Sequence, residues 1–126
     1  MTDHPPRLPL KNRPFRERLG FAFAGLRIVH RRERSVRSQL LLGGGAATVT
    51  LVLQPGLLWG ALVALSIGFV LALEAANAAL EYALDHLHPQ FAAEIGFAKD
   101  AAAGAVLVAS LTALVVGALM VAASLT

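Results

Sequence analysis

Glu74, Asn77, Glu81 and Asp85 stand within the stretch Leu73-Glu-Ala-Ala-Asn-Ala-Ala-Leu-Glu-Tyr-Ala-Leu-Asp85, directly after an uncharged run from Ser38 to Leu73. On a helix turning 100° per residue they fall at about 0°, −60°, −20° and +20°, a single polar stripe less than about 90° wide. Alanine and leucine fill most of the positions between them. Carboxylates gathered on one face at the end of an apolar helix repel one another unless a cation joins them. The chemistry open to such a stripe is divalent-cation binding, with one acid left to take a proton from a hydroxyl. Lys99-Asp100, which precede the last apolar run, belong with it, whereas Glu33, an acid set inside the basic run His30-Arg-Arg-Glu-Arg-Ser-Val-Arg37, is out of place there but by itself points to no chemistry.

The chain around these residues has 126 positions, 56% hydrophobic and 15% charged, with a mean hydropathy of +0.64. Its length suits one domain, and its composition is far too apolar for an ordinary soluble one. An all-α integral membrane protein is expected. Cysteine is absent, which excludes a disulfide framework and a thiolate metal site. No short apolar segment with a cleavage site precedes Ser38, so a signal peptide is not expected.

Residues 1–13, with Pro5, Pro6 and Pro9 and no periodicity, suggest a disordered cytoplasmic tail. Pro14 suits a first helical turn. Beyond it Phe15, Leu19, Ala22, Phe23, Leu26 and Val29 recur at helical spacing, with the arginines largely elsewhere. That pattern predicts an amphipathic helix over 14–32, lying in the membrane interface. The basic run that follows is expected to be a solvated flank.

Counted from Val36, the first apolar run reaches Leu53 and is just long enough to span. Gly43, Gly44 and Gly45 lie at membrane depth with no Lys-Ser or Lys-Thr after them, so a phosphate-cradling loop is excluded. They are expected to let helices approach closely. Gln54-Pro55-Gly56 is an uncharged turn. A second span begins at Leu57, with Trp59 near its outer end. Seventeen rises put Glu74 roughly 26 Å along it, at the far edge of a hydrocarbon layer about 30 Å thick. At mid-membrane a charge would cost at least about 2.5–3.5 kcal/mol. His86-Leu-His-Pro89 should end this helix. A zinc site at Asp85, His86 and His88 lacks support from any other ligand. A loop is expected through Gly96, then a third span, on which Ala101, Ala105 and Ala109 form a smooth packing face.

Residues 1–37 hold ten basic and three acidic side chains, and 74–100 one basic and five acidic. The basic segment stays in the cytoplasm by the positive-inside rule. Three spans then return 74–100 to the cytoplasmic side and send the C-terminus outward, so the charged groups share the side where ATP is available. A channel or transporter should carry acids along a path through the bilayer, and the outer half and third span have no ionisable residue. A scaffold needs no such stripe. An enzyme acting on a lipid headgroup at the inner interface fits best: acids to hold Mg²⁺, one acid to deprotonate a hydroxyl, and Lys or Arg to bind phosphates. No nucleic-acid partner is expected.

The motif Glu74-Ala-Ala-Asn77-Ala-Ala-Leu-Glu81-Tyr-Ala-Leu-Asp85, followed by Ala98-Lys99-Asp100, resembles that of the small prokaryotic diacylglycerol kinases. Gly25-Leu-Arg27 and Glu33-Arg-Ser-Val-Arg37 resemble that family's upstream elements, and the likeness covers roughly residues 14–123. It implies a domain over 14–126: a surface helix at 14–32, spans at about 36–53, 57–85 and 98–123, and a homotrimer with active sites between protomers. It implies transfer of the γ-phosphoryl group of MgATP to a lipid alcohol at the bacterial inner membrane, in phospholipid biosynthesis. It further implies Glu74 as general base, Glu33 and Glu81 as metal ligands, Asn77 orienting Glu74 or a phosphate, and Arg27, Asp85, Lys99 and Asp100 toward the nucleotide. Diacylglycerol is the expected acceptor. A sister branch phosphorylates undecaprenol, and Glu-Arg-Ser-Val-Arg and Ala-Lys-Asp-Ala-Ala-Ala-Gly-Ala-Val-Leu look about as close to that branch. Four positions depart from the pattern and bear on lipid selectivity. Val36 stands where an aromatic is usual, Ala78 where Ser or Thr is common, and Gln90 at an often acidic place, while Glu94 matches no position.

Overall fold

A computed structural model describes residues 12–126, so most of the expected tail lies outside the described residues. Those residues form four helices: α1 (Phe15–Arg32), α2 (Arg34–Leu53), α3 (Leu57–Leu87) and α4 (Ala93–Leu125). The last three are long and apolar enough to cross a membrane.

The start and stop of each helix follow local chemistry. Pro14, extended at φ −53 and ψ 146, sits at the N-cap of α1, and its carbonyl accepts from the Glu17 and Arg18 amides. Glu17 in the first turn and His30, Arg31 and Arg32 in the last complement the helix dipole. Arg13 pairs with Glu17 at 3.0 Å, a turn before the helix is established. One extended residue, Glu33 at φ −98 and ψ 110, then separates α1 from α2. The Arg37 guanidinium reaches back across this break and donates to the carbonyls of His30 and Arg31, each at 2.9 Å. Arg37, expected as part of a solvated flank, is therefore the C-terminal cap of α1, satisfying carbonyls that have no helical partner. Between α2 and α3, Gln54 takes the left-handed conformation at φ 48 and Gly56 sits at φ 110. A side chain is rarely tolerated at the second of these.

α3 and α4 form the main helix pair, and α2 packs mainly on α3. The inward face of α3 is the stripe Val63, Val70, Glu74 and Ala78. On α4 the buried residues are Ala109 and Met120, the latter 2% exposed. The expected Ala101/Ala105/Ala109 face is only partly correct. Ala109 is buried, but Ala101 and Ala105 are exposed, and the packed stripe runs through Ala102, Val106, Ala109, Ala113, Val116 and Met120. Alternating steps of four and three keep a stripe facing one partner over a long helix, whereas steps of four drift around it. α4 also begins at Ala93 rather than after a loop through Gly96: Glu94 lies in the first turn, where an acid suits the dipole.

Among the three adjacent glycines, only Gly43 makes a close approach. A Cβ there would lie 3.0 Å from Ile67 Cγ2, whereas Gly44 and Gly45 meet nothing within 4 Å. The outward surfaces are apolar, with Leu41, Leu51, Leu58 and Leu114 exposed, as lipid-facing helices require. The hydroxyls in these segments return to their own helix. Thr48, Thr50, Ser66, Thr112 and Ser124 each donate to the carbonyl four residues back, at 2.7–2.9 Å. Such back-bonding removes a donor that hydrocarbon cannot satisfy.

Gly43→Val should lower unfolding stability in detergent by about 1–3 kcal/mol, because the added atoms overpack the Ile67 contact. Ile67→Ala made together with it should recover part of the loss in the same thermal melt. Strict additivity of the two losses would show that the residues do not share a contact.

Candidate active site

The candidate groups gather where α1 ends, α2 begins and α3 passes beside both. Val29, Val36 and Ala78 form a small apolar cluster there, one residue from each helix, with the Tyr82 ring packed against it. Two polar links surround the cluster. Ser35 Oγ, in the first turn of α2, donates to Glu74 Oε2 at 3.0 Å. The Tyr82 hydroxyl donates to Glu33 Oε1. The Arg32 guanidinium lies over the Tyr82 ring, 5.6 Å from its centroid.

Glu74 is the one buried charged side chain among the described residues, 6% exposed. Its bond to Ser35 sets it level with the first turn of α2. At that depth a carboxylate is costly unless hydrogen bonds or a cation compensate. One turn along, Asn77 Oδ1 is buried without a hydrogen-bond partner. A sealed, unpartnered amide oxygen is uncommon in a folded interior and marks a group in need of a donor or a cation.

Glu33 owes its position to the one-residue break between α1 and α2. It caps neither helix through its side chain. It turns instead to Tyr82, the residue next to Glu81. The structure thus brings Glu33 to α3 within one residue of Glu81, which is half-buried. Among the described residues no three His, Cys, Asp or Glu side chains cluster as a metal site within one chain. The donors present nevertheless suit Mg²⁺, which takes oxygen ligands and is commonly held by one or two carboxylates plus substrate phosphates. Asp85, His86 and His88 fall under the same observation. The His88 imidazole instead meets the Gln90 carbonyl at 2.9 Å through Nδ1.

Farther along α3, Lys99 of α4 donates to Asp85 Oδ1 across the α3–α4 connection. The pair is exposed, so its contribution to stability is small, about 0–1 kcal/mol. A depression of about 350 Å³ lies beside it, lined in part by Asp85, Phe91, Ile95 and Lys99. Arg27 and Asp100 are exposed, and no hydrogen bond or ion pair joins either to the other candidates among the described residues. Sequence reasoning missed Ser35 and Tyr82. Tyr82 falls at about +80° on the wheel, beside the polar stripe, and Ser35 follows Glu33 by two residues, so each stood next to a residue already singled out.

A family model described as prokaryotic diacylglycerol kinase matches residues 20–121, a segment that contains every candidate residue from Arg27 to Asp100. No match was found among the curated proteins.

Tyr82→Phe removes the hydroxyl that holds Glu33 and should cost about 0.5–1.5 kcal/mol in an unfolding titration. Glu33→Gln introduced as well should add little beyond the first loss. Fully additive losses in that double-mutant cycle would mean the two side chains are not coupled.

Proposed function

The chain belongs to the prokaryotic diacylglycerol kinase family, and from that premise we propose that it is a membrane lipid kinase that uses MgATP to convert diacylglycerol to phosphatidic acid. The observation that carries the site assignment is Glu74, a buried carboxylate at the edge of an otherwise uncharged span. A lipid alcohol presents its hydroxyl at that depth, below the headgroups and above the acyl chains.

In this reading Glu74 accepts the proton of the lipid hydroxyl as its oxygen bonds to the γ-phosphorus. The bond from that phosphorus to the β–γ bridging oxygen breaks, and ADP leaves with the electron pair. Phosphoryl transfer asks a protein mainly for positioning and charge neutralisation. Glu33 and Glu81 would hold Mg²⁺, which when bound offsets charge on the phosphates. Asn77, whose oxygen is unpartnered one turn from Glu74, would orient the base or a phosphate. Lys99, now held by Asp85, would exchange that carboxylate for a nucleotide phosphate. Arg27 and Asp100 complete the nucleotide side.

A trimer with sites shared between copies, as the resemblance implies, would account for a half-site in one chain: Ser35 is bonded to Glu74 and Tyr82 to Glu33, while Arg27, Lys99 and Asp100 are not joined to them. The bacterial inner membrane, with the α1–α2 junction in the cytoplasm and the C-terminus outward, is the topology that the charge distribution supports.

Purified protein in detergent with γ-labelled ATP and Mg²⁺ should label diacylglycerol more strongly than undecaprenol. Preferential labelling of undecaprenol would reassign the acceptor, and labelling of neither would overturn the kinase reading. Glu74→Gln should abolish turnover while MgATP still binds; near-normal kcat would remove Glu74 from the role of base. Glu33→Gln and Glu81→Gln should each raise the Mg²⁺ concentration needed for half-maximal activity, and unchanged Mg²⁺ titrations in both would exclude the metal-ligand roles.

A further inference from the structure

The two oxygens of the Glu74 carboxylate are not equivalent. Oε2 accepts the Ser35 hydroxyl at 3.0 Å. Oε1 takes no donor among the described residues and, unlike Asn77 Oδ1, is not sealed from solvent. A carboxylate rotates about a broad, roughly two-fold torsion unless something holds its plane. Here the holder is a side chain 39 residues away in sequence, on a different helix.

Ser35 is itself firmly placed. Two residues before it, Glu33 is held by Tyr82. The next residue, Val36, is 8% exposed and packed in the cluster with Ala78. Two residues after it, Arg37 is bonded to the end of α1 through two carbonyls. A serine on a free helix end would sample its rotamers; Ser35, though exposed, has its neighbours held on both sides and its hydroxyl on a buried acceptor.

From this geometry we infer that Ser35 is a positioning residue for the base: it holds Oε2 and leaves Oε1 to face the lipid hydroxyl. The inference rests on the reading of Glu74 as base. A general base must lie within hydrogen-bonding reach of the proton it removes, and misplacement by about 1 Å can cost on the order of a hundredfold in rate. Ser35 acts through Glu74 rather than on substrate, so its loss should reduce kcat and leave ATP binding alone.

The test uses the full chain in detergent with MgATP and whichever of diacylglycerol or undecaprenol the unsubstituted chain phosphorylates. Ser35→Thr keeps a hydroxyl and Ser35→Val gives nearly the same shape without one; Ser35→Ala and Glu74→Gln complete the set. Ser35→Ala and Ser35→Val should each lower kcat about tenfold with KM for ATP unchanged, and Ser35→Thr should restore most of the rate. Equal kcat for Ser35→Thr and Ser35→Val, or a loss confined to KM for ATP, would overturn the inference. If Glu74→Gln is inactive while all Ser35 variants are normal, only the role of Ser35 falls. If Glu74→Gln is active, the base assignment falls and the role of Ser35 with it.

Discussion

A carboxylate buried at the edge of a bilayer is the constraint on which this structure turns. Hydrocarbon offers no water to satisfy it, and mid-membrane the cost of the charge would be prohibitive, so Glu74 must lie at the edge and must find a donor within the protein. The donor comes from α2, and α2 can supply it only because the chain changes direction at Glu33. A continuous helix from Phe15 to Leu53 would carry Ser35 away with the surface segment. The single extended residue ends α1, starts α2 at the level of Glu74, and places Ser35 in the first turn facing it. Arg37 then fixes the break by capping the carbonyls that it exposes.

The same junction takes in two of the positions at which the sequence departs from the pattern that it resembles. Val36, where an aromatic is usual, and Ala78, where Ser or Thr is common, are both buried in one cluster with Val29. Valine at 36 and alanine at 78 make an apolar contact with no hydrogen bond in it. Tyr82 packs its ring on the cluster from α3, while its hydroxyl reaches Glu33. One side chain thus fills the space beneath the break and holds the acid at the break. Positions 36 and 78 both lie in the apolar contact at the helix junction, away from the exposed surface.

What the sequence made legible was periodic or anomalous. The three apolar runs and the polar stripe on α3 follow from counting residues along a helix. Glu33 stood out because an acid interrupts a basic flank. The packed face of α4 was misjudged because four-residue spacing among alanines was weighed without the facing helix, whose contacts select steps of four and three. Close approach was expected of all three glycines, yet Ile67 meets Gly43 alone. Ser35 with Glu74, Tyr82 with Glu33, and Gln39 with Ser110 at 3.3 Å join residues 39, 49 and 71 positions apart. Contacts at such separations leave no period in the sequence. They depend on where a helix breaks and how two helices cross, and one residue of shift in either would pair different side chains.

The two ends of the proposed site differ in how far the single chain has already built them, and the surrounding medium accounts for the difference. At the membrane edge the polar groups are fixed by the chain itself: Ser35 on Glu74 and Tyr82 on Glu33. The fold provides partners there for Glu74 Oε2 and for Glu33, and leaves Asn77 Oδ1 without one. About three turns beyond Glu74, Asp85 is exposed and Lys99 half-exposed, and they hold each other in a pair that solvent screens and a phosphate can displace. Arg27 and Asp100 are exposed as well. Charged groups in water need no preformed partner and can await a nucleotide or a neighbouring copy. Order at the lipid end and freedom at the nucleotide end are therefore consequences of one helix crossing from hydrocarbon into water. A lipid hydroxyl would meet a base already aimed, and the phosphate contacts would form when the nucleotide arrives.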